Sequence, residues 1–507
     1  MNNQQNQDQI EYDKQMKAQY FTKIQNRNIF IINNQQLKSI KFMNDFDITQ
    51  LKISQCHYLK TDLHNNQIKQ LIINECNLNN VVGFQLDNLQ IIDLSKNKLL
   101  SVESLLQIPL LTIVNISWNQ VADISSLRYL NHLRHLNISG NVAFNMVQLK
   151  EISQITTLIL NDANISDVSS LSSQTNLREL DLSLNDDLDY KSLQNFSFLT
   201  KLILQYNNIE NLQFMKYLIS LNELDISHNK NDNVSPQFLD PLKNNDVLSS
   251  LYINNCKILD ISVLATLPNL KCLEISQNEN LDASPLNQLT KLNKIKIQWL
   301  KLTNISMLRS LIDLQEVHIS GFAELDLEPL FNMNQLKYFF FPYNKGINTT
   351  QLINFKALLR LDLSSCDLRD ISVLRYFSFL EELNLAFNRI IYINPLKSLK
   401  KLHYLNLKFN CISDFSALSE HLNIQMYSLS QQQKPIFQEI NYSNQLKLID
   451  TALILIMETN KKRKKIISST ANLRIQIADF IQLNFDNYEQ LTTTVAKLFQ
   501  RQDFPDQ

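Results

Sequence analysis

The chain has 507 residues, of which 44% are hydrophobic and 19% are charged, and its formal net charge is -1 at pH 7. This composition is typical of a folded protein and argues against extensive disorder. A net charge near zero gives no overall attraction to nucleic acid or to an anionic membrane surface, so neither partner is expected. The length suits either several ordinary domains or one long solenoid, whose core grows with each added repeat.

The N-terminal segment, residues 1–25, predicts a polar tail followed by a short capping helix over residues 10–24. Residues 1–8 are rich in Asn and Gln, and no apolar segment follows a basic one, so we find no secretory signal. The most apolar run, residues 446–457, is too short to span a bilayer. We therefore expect a cytoplasmic protein with no membrane span.

A 22-residue repeat occupies most of the chain. Residues 111–119 fit the pattern L-x-x-L-x-L-x-x-N, and the frame returns at a constant interval, apart from one longer step between Asn229 and Cys256. We call the last position of the pattern the ladder position. From residue 97 onward it is occupied by Asn97, Asn119, Asn141, Ala163, Asn185, Asn207, Asn229, Cys256, Asn278, Leu300, Phe322, Asn344, Cys366, Asn388 and Asn410. Weaker copies on both sides extend the frame to about 19 turns over residues 26–432.

Each repeat combines two hydrophobic periods. The L-x-L piece alternates with period two, as a strand does, and the apolar residues that follow form one stripe on a short helix or 3-10 segment. Because neither piece buries both of its faces alone, identical turns must stack, with strands about 4.8 Å apart. The predicted fold class is an α/β solenoid, a horseshoe or arc with a concave parallel β-sheet and short helical or 3-10 convex segments.

This pattern resembles the 22-residue leucine-rich repeats of the protein phosphatase 1 regulatory subunit family and of the bacterial internalins. The resemblance covers residues 26–432 and specifies the fold more closely than the function, because the shared residues are the buried ones. It implies a regulatory or targeting subunit of a Ser/Thr protein phosphatase as one function and a surface adhesion protein as another. The low glycine content, four residues in the chain, and the cysteines at ladder positions are more typical of the intracellular members of these families than of the secreted ones.

The ladder position predicts a side chain that satisfies backbone groups where the chain bends after each strand. Asn both donates and accepts hydrogen bonds there, and Cys is a small substitute donor. Cys56, Cys76, Cys256 and Cys366 hold ladder positions, so we expect reduced thiols that lie far apart in space. Asp and Ser in segments such as residues 122–125 predict N-terminal caps of the return segments.

The motifs of common catalytic sites are missing from the sequence. Four glycines, none spaced as in G-x-G-x-x-G or a Walker loop, exclude nucleotide binding by those routes. The sequence also contains no G-x-S-x-G, H-E-x-x-H or C-x-x-C, and the closest histidines, His132 and His135, fall on opposite sides of a turn. We predict no enzyme, no cofactor, no metal site and no small-molecule substrate.

Aromatic residues are frequent where side chains should point from the strands to the concave face. Interfaces are enriched in such rings, because they supply large rigid areas. We therefore predict a non-catalytic scaffold that binds protein partners through this face, mainly in its C-terminal half. The alternative is that the rings pack against one another and only stabilise the sheet. The candidate contact residues are Trp118, Tyr206, Trp299, Tyr338, Phe340, Tyr343, Phe387, Tyr404 and Phe409.

The C-terminal extension, residues 433–507, leaves the repeat frame and predicts helices over residues 445–458, 471–485 and 488–500. Between the first two helices the sequence has five consecutive basic residues, namely Lys461, Lys462, Arg463, Lys464 and Lys465. Two interpretations remain open for this run: a solvated loop, or a nuclear signal or phosphate contact.

Overall fold

The computed structural model describes residues 29–33, 39–57, 59–60, 62–229, 235–418 and 426–428. The chain divides into two units at the boundary between Leu270 and Lys271, and we call the described residues before and after it unit 1 and unit 2. The predicted capping helix over residues 10–24 and the predicted helical extension, with the basic run Lys461–Lys465, lie outside the described residues.

Unit 1 contains a long sheet in which every pair of neighbouring strands is parallel. Two short strands, β3 and β5, pair separately. The strands are β1 (Ile29–Asn33), β2 (Gln50–Ser54), β3 (Leu63–His64), β4 (Gln70–Asn74), β5 (Phe84–Gln85), β6 (Ile91–Asp93), β7 (Ile113–Asn115), β8 (His135–Asn137), β9 (Thr157–Ile159), β10 (Glu179–Asp181), β11 (Lys201–Ile203), β12 (Glu223–Asp225) and β13 (Ser250–Tyr252).

Unit 2 repeats this arrangement with parallel neighbours throughout its described strands. These strands are β14 (Cys272–Glu274), β15 (Lys294–Gln298), β16 (Glu316–Ser320), β17 (Tyr338–Phe340), β18 (Arg360–Asp362), β19 (Glu382–Asn384), β20 (Tyr404–Asn406) and β21 (Met426–Ser428). Paired residues from β14 to β21 are one repeat apart in the sequence, as Glu382 and Tyr404 are, so equivalent repeat positions form straight columns across the sheet.

Short 3-10 helices return the chain from one strand towards the next, so the predicted choice between a short helix and a 3-10 segment falls on the 3-10 form among the described residues. In unit 1 they are Lys41–Asp45, Glu103–Gln107, Ser125–Tyr129, Met146–Glu151, Ser169–Leu171, Tyr190–Asn195, Gln213–Tyr217, Asp240–Leu242 and Ser262–Thr266. In unit 2 they are Ser284–Gln288, Ser306–Leu308, Glu328–Leu330, Thr349–Asn354, Ser372–Tyr376, Asn394–Ser398 and Ser416–Leu418.

The core of each unit lies between the sheet and the 3-10 helices. The central residue of a strand, such as Leu383 in β19, is fully buried, as is Leu396 in the 3-10 helix that follows. Residues on either side of the central one are partly exposed on the other face of the sheet. Each buried aliphatic side chain contributes roughly 1.5–3 kcal/mol. The predicted fold class, a leucine-rich-repeat solenoid built on a parallel sheet, is confirmed.

The ladder asparagines satisfy backbone groups on two neighbouring turns. The side-chain amide of Asn388 donates to the carbonyls of Leu363 at 2.8 Å and Leu385 at 3.0 Å. Its oxygen accepts from the backbone N–H groups of Cys366 and Leu368, both at 3.0 Å. One buried side chain therefore replaces water for backbone groups on both turns.

The ladder cysteines keep only part of this network. The Cys366 thiol donates to the carbonyls of Phe341 at 3.1 Å and Ser364 at 3.4 Å. The six cysteines are free thiols. The expectation that the ladder cysteines lie far apart is wrong for Cys56 and Cys76, because the backbone N–H of Cys56 donates to the Cys76 sulfur at 3.4 Å. They hold ladder positions of adjacent turns, which the repeat stacks directly on each other.

Two turns without a polar ladder residue, those of Leu300 and Phe322, satisfy their backbone differently. Their strands, β15 and β16, pair over five residues each, whereas most strands of unit 2 have three. Asn344 of the next turn accepts from the backbone N–H of Phe322 at 2.9 Å and donates to the carbonyl of Ile319 at 2.9 Å. Longer strand pairing and one neighbouring asparagine thus replace the missing polar side chains.

The predicted Asp caps need a correction in position. Asp123 accepts from the N–H of Ser125 at 2.8 Å, but the N-cap itself is Ile124, which makes no side-chain cap hydrogen bond. The aspartate therefore forms an Asx turn one residue before the cap. Side chains at a true N-cap that accept from the first turn belong to Asn145, Asp189 and Asn348.

Candidate functional site

The residue immediately before each ladder position, which we call the pre-ladder residue, has a left-handed backbone. In unit 2 the φ angles of Trp299, Tyr343, Phe387 and Phe409 lie between 55° and 60°. This conformation costs an L-residue about 1–2 kcal/mol. It occurs where the chain bends after each strand, whether the ladder residue is polar, as Asn344 is, or apolar, as Leu300 is. Large rings are therefore held in one column on the outer face, the sheet face that points away from the core.

Trp299 and Tyr343 form an aromatic pair that crosses one turn. Between them lies the turn of Gly321, where a Cβ atom would come within 2.8 Å of Cε3 of the indole. The indole therefore occupies the space that a side chain at Gly321 would fill, and Ser320 beside it has 0% exposure. The Trp299 and Tyr343 ring centroids are 5.6 Å apart at 44°, and the residues remain 49% and 56% exposed.

Phe387 and Phe409 form a second aromatic pair on adjacent turns of the same column. Their ring centroids are 4.2 Å apart and their planes differ by 13°. Phe387 is 53% exposed and Phe409 is partly exposed. The pre-ladder residue between the two pairs is the smaller Ser365. Unit 2 thus presents two half-exposed aromatic pairs with a serine between them.

The remaining candidates of unit 2 stand on the strands themselves. Phe340 stacks on His318 with centroids 4.2 Å apart, and the Arg360 guanidinium lies 5.5 Å from the Tyr338 ring centroid. Tyr404 opens β20 and is half-buried. These rings lie beside the pre-ladder column but are packed more closely against neighbouring strands.

Charged residues around the aromatic column pair with one another. The Lys294 ammonium lies 3.2 Å from Glu274 and 3.4 Å from Glu316. His318 Nε2 lies 2.6 Å from the Glu316 carboxylate, and this hydrogen bond holds the pKa of Glu316 below its ordinary value. Arg360 pairs in the same way with a glutamate of the next turn. Opposite charges therefore offset one another beside these rings.

Unit 1 carries a simpler version of the same arrangement. The Trp118 indole covers Gly140, where a Cβ atom would come within 2.7 Å of the ring, and it is 45% exposed. The pre-ladder residue two turns after Trp118 is Asp162, whereas the equivalent residue in unit 2 is Tyr343. Tyr206 stacks on His228 at 4.3 Å in a separate part of the column. Trp118 therefore lacks the second ring of the unit 2 pair.

The repeat frame placed these rings in the correct column, but it did not reveal that the Trp118 and Trp299 rings lie over Gly140 and Gly321 of the next turn. A signal was present, because each of the two tryptophans is followed one repeat later by one of the four glycines. Both interpretations of the rings retain support: neighbouring rings pack on each other, and they also stay about half exposed. Their role in binding remains a prediction.

The described residues contain no group of three His, Cys, Asp or Glu side chains arranged to hold a metal ion. Within the same residues, no helix has both the length and the apolar character needed to cross a bilayer.

Comparison with known proteins places the repeat in a family. Leucine Rich repeats (2 copies) match residues 378–420, and a Leucine Rich repeat matches residues 173–197. No curated protein matches the chain in sequence.

Three solved structures align with much of this chain. The TLR13–ssRNA13 complex aligns with 76% of this chain and 67% of its own at 19% identity and a TM-score of 0.56. An internalin from Listeria monocytogenes aligns with 62% of this chain and 85% of its own at 27% identity and a TM-score of 0.44. A leucine-rich-repeat protein of Leptospira interrogans aligns with 79% of this chain and all of its own at 18% identity and a TM-score of 0.44. The 22-residue frame, the parallel sheets and the two family matches identify the chain as a leucine-rich-repeat protein.

Proposed function

We propose that this chain is a non-catalytic scaffold whose main binding surface is the outer face of unit 2, centred on Trp299, Tyr343, Phe387 and Phe409. Leucine-rich-repeat scaffolds typically mediate protein binding. The observation that carries the proposal is the pair of half-exposed rings Trp299 and Tyr343 held on a rigid sheet. Anchors of this kind lose little side-chain entropy on binding and cover large areas of a partner.

The role as a phosphatase regulator is a narrower proposal, supported by the resemblance of the repeats alone. It requires that a Ser/Thr phosphatase catalytic subunit bind this same face. A cytoplasmic location is part of the main proposal, and a nuclear one would follow if Lys461–Lys465 act as a signal. Surface adhesion is the third alternative, and it would require a partner outside the cell.

The test is affinity capture from a native lysate with the full chain and with a variant that combines Trp299→Ser, Tyr343→Ser and Phe387→Ser. The matched control combines Trp118→Ser and Tyr206→Ser on unit 1. We expect the unit 2 variant to lose specific proteins that the control retains, with nearly unchanged unfolding midpoints. A phosphatase catalytic subunit among the lost proteins would support the regulatory role. Identical captures by both variants, or a large fall in stability of the unit 2 variant, would refute the proposed surface.

A further inference from the structure

Two ladder cysteines of adjacent turns lie in contact inside unit 1. We infer that Cys56 and Cys76 are an oxidation site, at which a low-molecular-weight disulfide such as oxidised glutathione converts the two thiols into one internal disulfide. The site lies apart from the binding surface proposed for unit 2, and it goes beyond the proposed function.

The first support is the distance between the two turns. Ser54 of β2 pairs with Asn74 of β4, and each cysteine follows two residues later in its own turn. Neighbouring parallel strands lie about 4.8 Å apart. The two Cα atoms of a disulfide are usually separated by roughly 4.4–6.8 Å. The register of the sheet therefore sets Cys56 and Cys76 at a separation that a disulfide can span.

The second support is the direction of the two side chains. The Cys56 thiol donates to the carbonyl of Ser54 at 3.3 Å, and the Cys76 thiol donates to the carbonyl of Asn74 at 3.1 Å. Each thiol thus turns back to the carbonyl two residues before it, so the two side chains run the same way. The backbone N–H of Cys56 also donates to the Cys76 sulfur at 3.4 Å, which places that sulfur against the preceding turn.

The third support is the contrast with the other two ladder cysteines. Cys256 stands between Asn229 and Asn278 in the ladder, and both ladder neighbours of Cys366 are asparagines as well. A sulfur at either position meets side-chain amides on the adjacent turns. Among the ladder cysteines of the described residues, only Cys56 and Cys76 therefore have a second thiol on the next turn.

A cavity of about 430 Å³ distinguishes the roles of the two thiols. Cys76 is part of its wall, together with the exposed residues His57, Lys60 and Asn77. Cys56 is fully buried and does not line the cavity. A small disulfide therefore meets Cys76 first, and Cys56 is the thiol that completes the exchange.

The exchange has two steps. The Cys76 thiolate attacks one sulfur of oxidised glutathione, so a mixed disulfide forms and one glutathione thiolate leaves. The Cys56 thiolate then attacks the Cys76 sulfur and releases the second glutathione thiolate. The two protein thiols give up two electrons and two protons, which convert one glutathione disulfide into two glutathione thiols. The hydrogen bond to the Cys56 thiol, followed by burial, raises the pKa of Cys76, so its thiolate is scarce and the first step is slow at neutral pH.

The experiment treats the dilute full chain with oxidised glutathione at mildly alkaline pH. The remaining thiols are then blocked with N-ethylmaleimide, and unreduced peptides are mapped by mass spectrometry. We expect a peptide pair joined through Cys56 and Cys76, with loss of N-ethylmaleimide from both positions and recovery of both thiols in dithiothreitol. The partly exposed Cys411 should take up glutathione and shows that the oxidant is active, whereas the buried Cys256 and Cys366 should stay unmodified.

Two variants test the order of the steps. Serine keeps a hydroxyl donor at the ladder position, so each variant retains a polar side chain there. Cys56→Ser should stop at the mixed disulfide and accumulate one glutathione on Cys76. Cys76→Ser should leave Cys56 reduced and without glutathione. In the parent chain, which needs no substitution, any glutathione trapped at early times should be on Cys76, and glutathione on Cys56 would overturn the assigned order.

Two results in the parent chain would overturn the inference itself. One is that Cys56 and Cys76 still react with N-ethylmaleimide after Cys411 has taken up glutathione. The other is that Cys256 and Cys366 are modified as fast as the pair, because the oxidant would then reach all four thiols by global opening of the chain. Neither result bears on the captures that test the surface of unit 2.

Discussion

Asn388→Ala tests how much one ladder asparagine stabilises the solenoid. Asn388 is 2% exposed and makes four close hydrogen bonds to backbone groups of two turns, at 2.8 to 3.0 Å. A buried hydrogen bond contributes about 1 kcal/mol net, and an unsatisfied buried group costs about 1–3 kcal/mol. Some carbonyls keep other partners and some groups gain water, so we expect a loss of about 3–5 kcal/mol.

Urea unfolding of the full chain measures this loss, and amide hydrogen exchange locates it. The N–H groups of Cys366 and Leu368 should exchange faster in Asn388→Ala, because each loses its acceptor. The control is Asn388→Cys, since Cys366 shows that a thiol at this position still donates to a carbonyl. Asn388→Cys should lose about half as much stability. Equal stability of the two variants, or unchanged exchange at both amides, would refute the account of the ladder.

Three further predictions concern the glycine under the Trp299 ring, the buried thiols and the Asx turns. Gly321→Ala should lower the free energy of unfolding by about 1–2 kcal/mol more than Gly346→Ala, measured by urea unfolding. Both glycines have positive φ, but the new Cβ meets the Trp299 ring at one site and the flexible Glu324 side chain at the other, and equal losses would contradict this reasoning. Burial raises the pKa of Cys256 and Cys366 to about 12, so alkylation at neutral pH, read by mass spectrometry, should label the partly exposed Cys272 and Cys411 before them. Early labelling of Cys366 would show that its turn opens. The hydrogen bonds from the Ser169 hydroxyl and N–H lower the pKa of Asp167, so its contribution is present above the unfolded pKa of about 3.9 and is lost as pH falls through the lower folded value. Asp167→Asn keeps an acceptor but cannot ionise, so its unfolding midpoint should depend less on pH below about 4 than that of the parent chain, and parallel profiles would exclude this role.

The positions of the strands and return segments were predictable because hydrophobic period and repeat length determine them together. β19, for example, has a buried Leu383 between two partly exposed residues, as the alternating pattern required. The frame also places Cys56 and Cys76 on successive turns, so our expectation that they lie apart contradicted the repeat itself. The aspartate caps were displaced by one residue, because composition marks where a segment starts but does not distinguish an Asx turn from an N-cap.

The sequence alone determined the repeating turn, the buried side of each strand and the column in which the aromatic residues stand. These features follow from local periodicity, because a strand alternates its faces and identical turns must stack to bury their apolar sides. Only the tertiary structure decided which rings touch. Contact between Trp299 and Tyr343 depends on the left-handed backbone of both residues. It also depends on the absence of a side chain at Gly321 of the intervening turn, where the indole lies. Such a contact joins residues on separate turns, so its geometry exists only once those turns are packed.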